Sequence, residues 1–146
     1  MYRNKNIIKY VVILLVFVLA GCGSNAGVKL DTPAGTFKIE QVQISDSFPP
    51  DCTLNGGAGC SVAESGYQIL IIWLEPPTGF DGSINEAMTE EAPYLTLGDG
   101  STKKIAISGM AQSRYFIAFT PPDSAASFTL TWPDNPTVDL GKLLGD

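Results

Sequence analysis

Three thiols, scattered carboxylates and a complete lack of histidine set the chemistry open to this chain of 146 residues. The thiols are Cys22, Cys52 and Cys60. A thiolate is the group that takes up lipid, metal or a second sulfur. Without His, the commonest general base and the commonest metal ligand are both missing. A hydrolase built on this chain would need carboxylates alone, and Glu86, Glu90 and Glu91 stand close enough in sequence to imitate such a pair. A solvated acidic loop accounts for them better. Asp134, Asn135 and Asp139 offer oxygens to a Ca²⁺ ion, but their spacing does not match an EF-hand loop, and Pro136 after Asn135 marks a turn. The chain contains no Gly-x-Ser-x-Gly, no phosphate loop and no dinucleotide fingerprint. These observations point to no catalytic residue, no metal site and no cofactor.

The first 21 residues have a different character from the rest. Arg3, Lys5 and Lys9 lie at the front, the side that stays cytoplasmic. Residues 10–20 form an unbroken apolar run, shorter than the roughly 20 residues a membrane span needs and suited to a signal-peptide core. The run ends in Leu19-Ala20-Gly21-Cys22, which resembles the lipobox of bacterial lipoproteins. The resemblance implies that the Cys22 thiol takes a diacylglycerol, that the chain is cut after Gly21, and that Cys22 becomes an acylated N-terminus carrying chains such as palmitate. Two or three acyl chains anchor stably where one is marginal. Gly23 stands where an Asp would signal inner-membrane retention, so the expected location is extracytoplasmic, on the cell membrane or on an outer membrane where one exists. Residues 22–33 then read as a lipidated N-terminus and flexible Gly-, Ser- and Asn-rich tether, and residues 34–146 as one domain.

With Cys22 assigned to lipid, Cys52 and Cys60 remain as an even pair in an exported domain, where disulfides persist. Three glycines between them permit a tight reversal, so the pair reads as a staple on a surface loop. Of the nine bases three lie in the leader, leaving six against all fifteen acids. A domain so acidic is a poor partner for nucleic acid and for anionic headgroups. Membrane residence must therefore come from the anchor.

The elements that would position these residues are short strands. Fifteen Gly and ten Pro break the chain into brief runs with no sustained helix. Residues 36–40 alternate, and Val42 and Ile44 continue on the opposite parity, which predicts a β-bulge near Glu40 or Gln41. Residues 67–74 are apolar almost throughout, a central strand covered on both faces. Residues 94–97 and 104–107 flank Asp99-Gly100, a hairpin signal. Residues 115–119, 127–132 and 138–140 supply the remaining strands, while residues 84–91 offer at most a helical turn or two. Trp73 and Trp132 are expected between the sheets, with Tyr115 and Phe119 beside Ile117 in the core. The pattern predicts an all-β fold, an immunoglobulin-like antiparallel β-sandwich of about seven strands preceded by a lipoprotein signal peptide, with a barrel as the other arrangement.

The order of elements is also similar to the telokin-like, immunoglobulin-fold domains of bacterial lipoproteins. The stretches that carry the likeness are Gly66-Tyr67 to Leu74, Leu95 to Ile107 around Asp99-Gly100, Phe116 to Pro122, and Phe128 to Trp132, within residues 34–142. Glu75-Pro76-Pro77 and the Cys52–Cys60 loop depart from the pattern. The resemblance implies a sandwich with an accessory role and transfers no catalytic residue. The expected function is a non-catalytic, membrane-anchored binding module of the cell envelope, with a protein or envelope component as partner. A small-ligand or cation-binding lipoprotein is the alternative, and an enzyme comes third.

Overall fold

The computed structural model describes residues 27–50, 52 and 59–144. Cys22, the leader and the front of the expected tether lie outside them. The described residues form an all-β fold of three antiparallel sheets, broadly consistent with an immunoglobulin-like β-sandwich. The strands are β1 (Lys29–Thr32), β2 (Gly35–Ser45), β3 (Ser47–Phe48), β4 (Ser61–Val62), β5 (Ile69–Glu75), β6 (Tyr94–Leu97), β7 (Thr102–Lys104), β8 (Ile107–Ala111), β9 (Arg114–Phe119), β10 (Phe128–Thr131) and β11 (Val138–Asp139). One sheet has five strands in the order β1-β2-β5-β9-β8, another has four in the order β11-β10-β6-β7, and β3 pairs with β4.

The main core lies between the two large sheets. Leu70, Ile72 and Leu74 of β5 meet Ile117 and Phe119 of β9 there, together with Leu95, Leu130 and Trp132 from the opposite sheet. Phe37, Ile39 and Val42 of β2 also face it. They do so because the β2–β5 register shifts between Ile39 and Gln41, so Glu40 is the bulge residue and the apolar phase is restored after it. The sequence expectation of a slip at this point is met. A 3-10 turn, Ile84–Ala87, closes one side of the core with Ile84 and Ala87 buried.

The other face of β5 carries Ile69, Ile71 and Trp73, which pack with Phe116, Ala118 and Phe48 into a second cluster. The small β3–β4 sheet lies over this face. Phe48 brings its ring 4.4 Å from that of Phe116 and stacks with Trp73 at 6.4 Å. The Ala63 N–H donates to the Asp46 carbonyl at 2.8 Å, and the Cys52–Cys60 disulfide joins the two limbs with a Cα separation of 6.0 Å. The cysteine loop is therefore a flap that buries a second apolar layer and not a bare surface excursion. This relocates Trp73: it sits under the flap, on the outer face of the five-stranded sheet. Trp132 does occupy the space between the sheets.

Three further differences from the sequence reading have local causes. The stretch read as tether up to Pro33 contains β1, whose four residues pair with β2 from Lys29↔Lys38 to Thr32↔Gly35. Its polar side chains hide the strand, but Leu30 is fully buried. The run at residues 104–107 is not one strand: β7 ends at Lys104 in the four-stranded sheet and β8 begins at Ile107 in the five-stranded one, so the chain crosses between sheets. The β8–β9 hairpin turns through Gln112 and Ser113, both at positive φ (51° and 61°) between the paired Ala111 and Arg114. That geometry favours Asn-Gly, and its absence from the sequence conceals the hairpin.

Two outcomes follow. Replacing Gln112 by Asn and Ser113 by Gly together should raise stability by about 1 kcal/mol, read as a higher urea midpoint at unchanged slope. Replacing Cys52 and Cys60 by Ser should lower stability by about 2–3 kcal/mol, as expected for opening so short a loop, and should red-shift the fluorescence of Trp73 as the flap loosens. An unchanged midpoint and emission would refute the assignment of the flap as a structural cover.

Candidate functional site

Of the polar residues singled out by sequence, Glu86, Asn135 and Asp139 have side chains engaged in local structure. The Glu86 carboxylate accepts a hydrogen bond from the Ser83 backbone N–H at 3.1 Å, holding the start of the 3-10 turn. Glu90 lines a different hollow, beside Tyr94, Thr102 and Lys104. Asn135 uses its amide on the backbone of β1: the Asp31 N–H donates to its Oδ1 at 2.7 Å, and its Nδ2 donates to the Asp31 carbonyl at 2.8 Å. Asn135 thus covers part of the free edge of β1. Asp139 accepts from the Gly141 N–H at 3.0 Å and lies 3.7 Å from the Lys142 ammonium. Asp134 occupies a positive-φ turn position. Among the described residues, no group of three His, Cys, Asp or Glu side chains is placed to hold a metal ion.

The aromatic residues are mostly committed to packing. Tyr115 and Phe119 line the main core as expected, and the Tyr115 hydroxyl donates to the Gly82 carbonyl at 2.8 Å. The Arg114 guanidinium lies 4.5 Å from the centre of a Trp73 ring and hydrogen-bonds to Glu40 at 2.8 and 3.0 Å. The bulge residue Glu40, the buried tryptophan beneath the flap and Arg114 beside its turn are therefore joined in one cluster. The Trp73 indole N–H completes it by donating to Gln43 at 3.3 Å.

Tyr67 is different. The sequence places it at the start of the central strand, but β5 begins at Ile69, and Tyr67 is 44% exposed. Its backbone is nonetheless held. The Tyr67 N–H donates to the Glu64 carbonyl at 3.0 Å, and Tyr67 forms an antiparallel bridge with Pro122. The Gln68 N–H donates to the Pro121 carbonyl, and the Asp123 N–H to the Gly66 carbonyl, each at 3.0 Å. Gly66 makes the turn possible with a φ of 83°. An aromatic ring held on a fixed backbone and left half in water is a suitable contact surface for a partner.

Tyr67 borders a cleft of about 280 Å³. Ser61, Val62, Ala63 and Glu64 from the flap form one wall, and Ile69, Ile107 and Thr120 of the five-stranded sheet and its margins form the floor. Val62 is 52% exposed, so it and Tyr67 present an apolar rim to solvent. The Lys103 ammonium stands 5.9 Å from the centre of the Tyr67 ring, within reach of a cation–π attraction. Lys103 in turn belongs to the hairpin closed at Asp99, whose carboxylate accepts from the Ser101 hydroxyl at 2.6 Å and from the Ser101 N–H at 2.9 Å. These two bonds, with Lys103 nearby, hold the Asp99 carboxyl below its ordinary pKa. No protein-family model matches this chain, and neither a curated protein nor a solved structure does.

The lowered Asp99 pKa has a defined sign. Folding favours the ionised form, so the stabilisation is complete above the ordinary value of 3.8 and is lost as pH falls through the folded-state value. Carboxyl-detected NMR titration should find Asp99 below the usual carboxylate range, and Ser101→Ala should move it back up. An identical titration in the variant would remove Ser101 as the cause.

Proposed function

We propose that this chain is an exported, lipid-anchored binding module of the cell envelope, with no catalytic activity. In this reading Cys22 carries the lipid, the domain is an immunoglobulin-like sandwich akin to the telokin-like domains, and the cleft beside Tyr67 is its working surface. The observation that carries the reading is the Cys52–Cys60 bond closing the flap. Such a bond persists in an oxidising compartment, and the charged leader, short apolar run and lipobox supply a route there.

Two physical arguments support the division of labour between anchor and domain. The excess of acids outside the leader gives the domain no affinity for anionic headgroups, so acyl chains on Cys22 are what would hold it at a membrane. The working surface would then be a contact site: the cleft joins an exposed ring, an apolar rim and hydrogen-bonding side chains on a rigid backbone.

The anchor is tested by replacing Cys22 with Ser. The expected result is loss of palmitate labelling and of membrane association, with precursor accumulating uncleaved. A variant that is still labelled and membrane-bound would overturn the assignment.

A further inference from the structure

We propose that the Tyr67 cleft receives a cationic side chain, a lysine or arginine, presented by a segment of another exported protein. The inference rests on the cleft being the working surface and adds the chemistry of what fills it.

Four observations lead to a cation. First, Glu64 lines the cleft, and its carboxylate has no hydrogen bond or ion pair with any described residue. Glu64 is exposed and its carboxylate oxygens only accept, so a partner that donates, such as an ammonium or guanidinium, suits it. Second, the exposed face of a tyrosine ring attracts cations, and this ring already has an ammonium group, that of Lys103, 5.9 Å from its centre. Lys103 stands at the outer limit of that attraction and would compete with an incoming cation. Third, Val62, Ile69 and Ile107 give the cleft an apolar side. Lysine and arginine are the side chains that combine an apolar stem with a cationic head. Fourth, the lining holds one acid and no base, and the chain as a whole has fifteen acids to nine bases. Lys103 beside the ring partly offsets Glu64, so the preference for a basic segment rests on Glu64 within the cleft and on the net charge of the chain.

A sugar would also stack on Tyr67 and use the Ser61 and Thr120 hydroxyls, but it would leave Glu64 without a counter-charge. The two occupants differ in their dependence on charge, and the test uses that difference. The isotopically labelled mature chain is titrated with three probes: a blocked pentapeptide bearing one lysine and one arginine, the same peptide with glutamates in their place, and a trisaccharide of N-acetylglucosamine. Amide shifts at Val62, Glu64, Tyr67 and Thr120 are followed.

The expected result is a response to the basic peptide alone, weakening as salt is added. Glu64→Gln should weaken binding by about threefold or more. Tyr67→Ala should remove the response while the remaining spectrum keeps its dispersion. Lys103→Met should strengthen binding, because it removes a competing and repelling charge. Equal binding of the acidic peptide, or indifference to Glu64→Gln and to salt, would overturn the cationic preference. Shifts at the same amides with the trisaccharide alone would also overturn it, yet would retain the cleft as the working surface. Silence of these amides with all three probes would overturn both.

Discussion

Every residue of β5 from Ile69 to Leu74 is buried, and successive side chains of a strand point to opposite faces. A strand of this kind needs cover on both sides. The four-stranded sheet provides one cover, meeting Leu70, Ile72 and Leu74. A second full sheet is absent on the other side among the described residues, and Ile69, Ile71 and Trp73 are closed off by the β3–β4 flap. Two residues per strand cannot hold such a flap through pairing alone. Phe48, wedged against Phe116 and Trp73, and the disulfide between Cys52 and Cys60 supply the remaining attachment. The disulfide thus helps to hold the cover that the outer face of β5 needs.

The same alternation explains what the sequence reveals. β5 and β9 are legible as unbroken apolar runs and β10 by its alternation, and the bulge at Glu40 is legible because it breaks the alternation of β2 once. β1 is hidden because Lys29 and Asp31 face outward, Thr32 is polar and half-buried, and only Leu30 is buried deeply. β3 and β4 are too short to carry a period. β8 contains Ser108, Gly109 and Met110, which have little strand character, and its pairing is imposed by β9. The misplacement of Trp73 has one physical origin: alternation assigns residues to two faces but does not say which face meets the other large sheet.

The cleft was less legible than the fold. The cysteine pairing could be deduced from the parity of the thiols. The exposed position of Tyr67 could not, since Tyr67 lies one polar residue, Gln68, ahead of the apolar run of β5 and reads as its start. Its exposure arises from contacts far along the chain. Pro121 and Pro122 capture the backbone around Tyr67 and Gln68, so β5 begins only at Ile69. Pro122 lacks an N–H and cannot extend the β5–β9 ladder in the ordinary way. What reads as two strand residues becomes a fixed ledge at the end of the sheet, with one ring turned to water.

The flap and the cleft are physically coupled. Ser61 and Val62 follow Cys60 directly, and they are both the second strand of the flap and the wall of the cleft. Their position depends on three attachments: pairing with Ser47 and Phe48, the Ala63 to Asp46 hydrogen bond, and the disulfide. The first two are few, and individual hydrogen bonds contribute only about 1 kcal/mol each. The covalent bond is therefore the attachment that limits how far the wall moves from the floor made by Ile69, Ile107 and Thr120. A reduced chain retains the main core, which lies on the opposite face of β5, but loses the constraint on one side of the cleft. In the proposed exported setting, a bond that stays closed would also keep the proposed contact surface in shape.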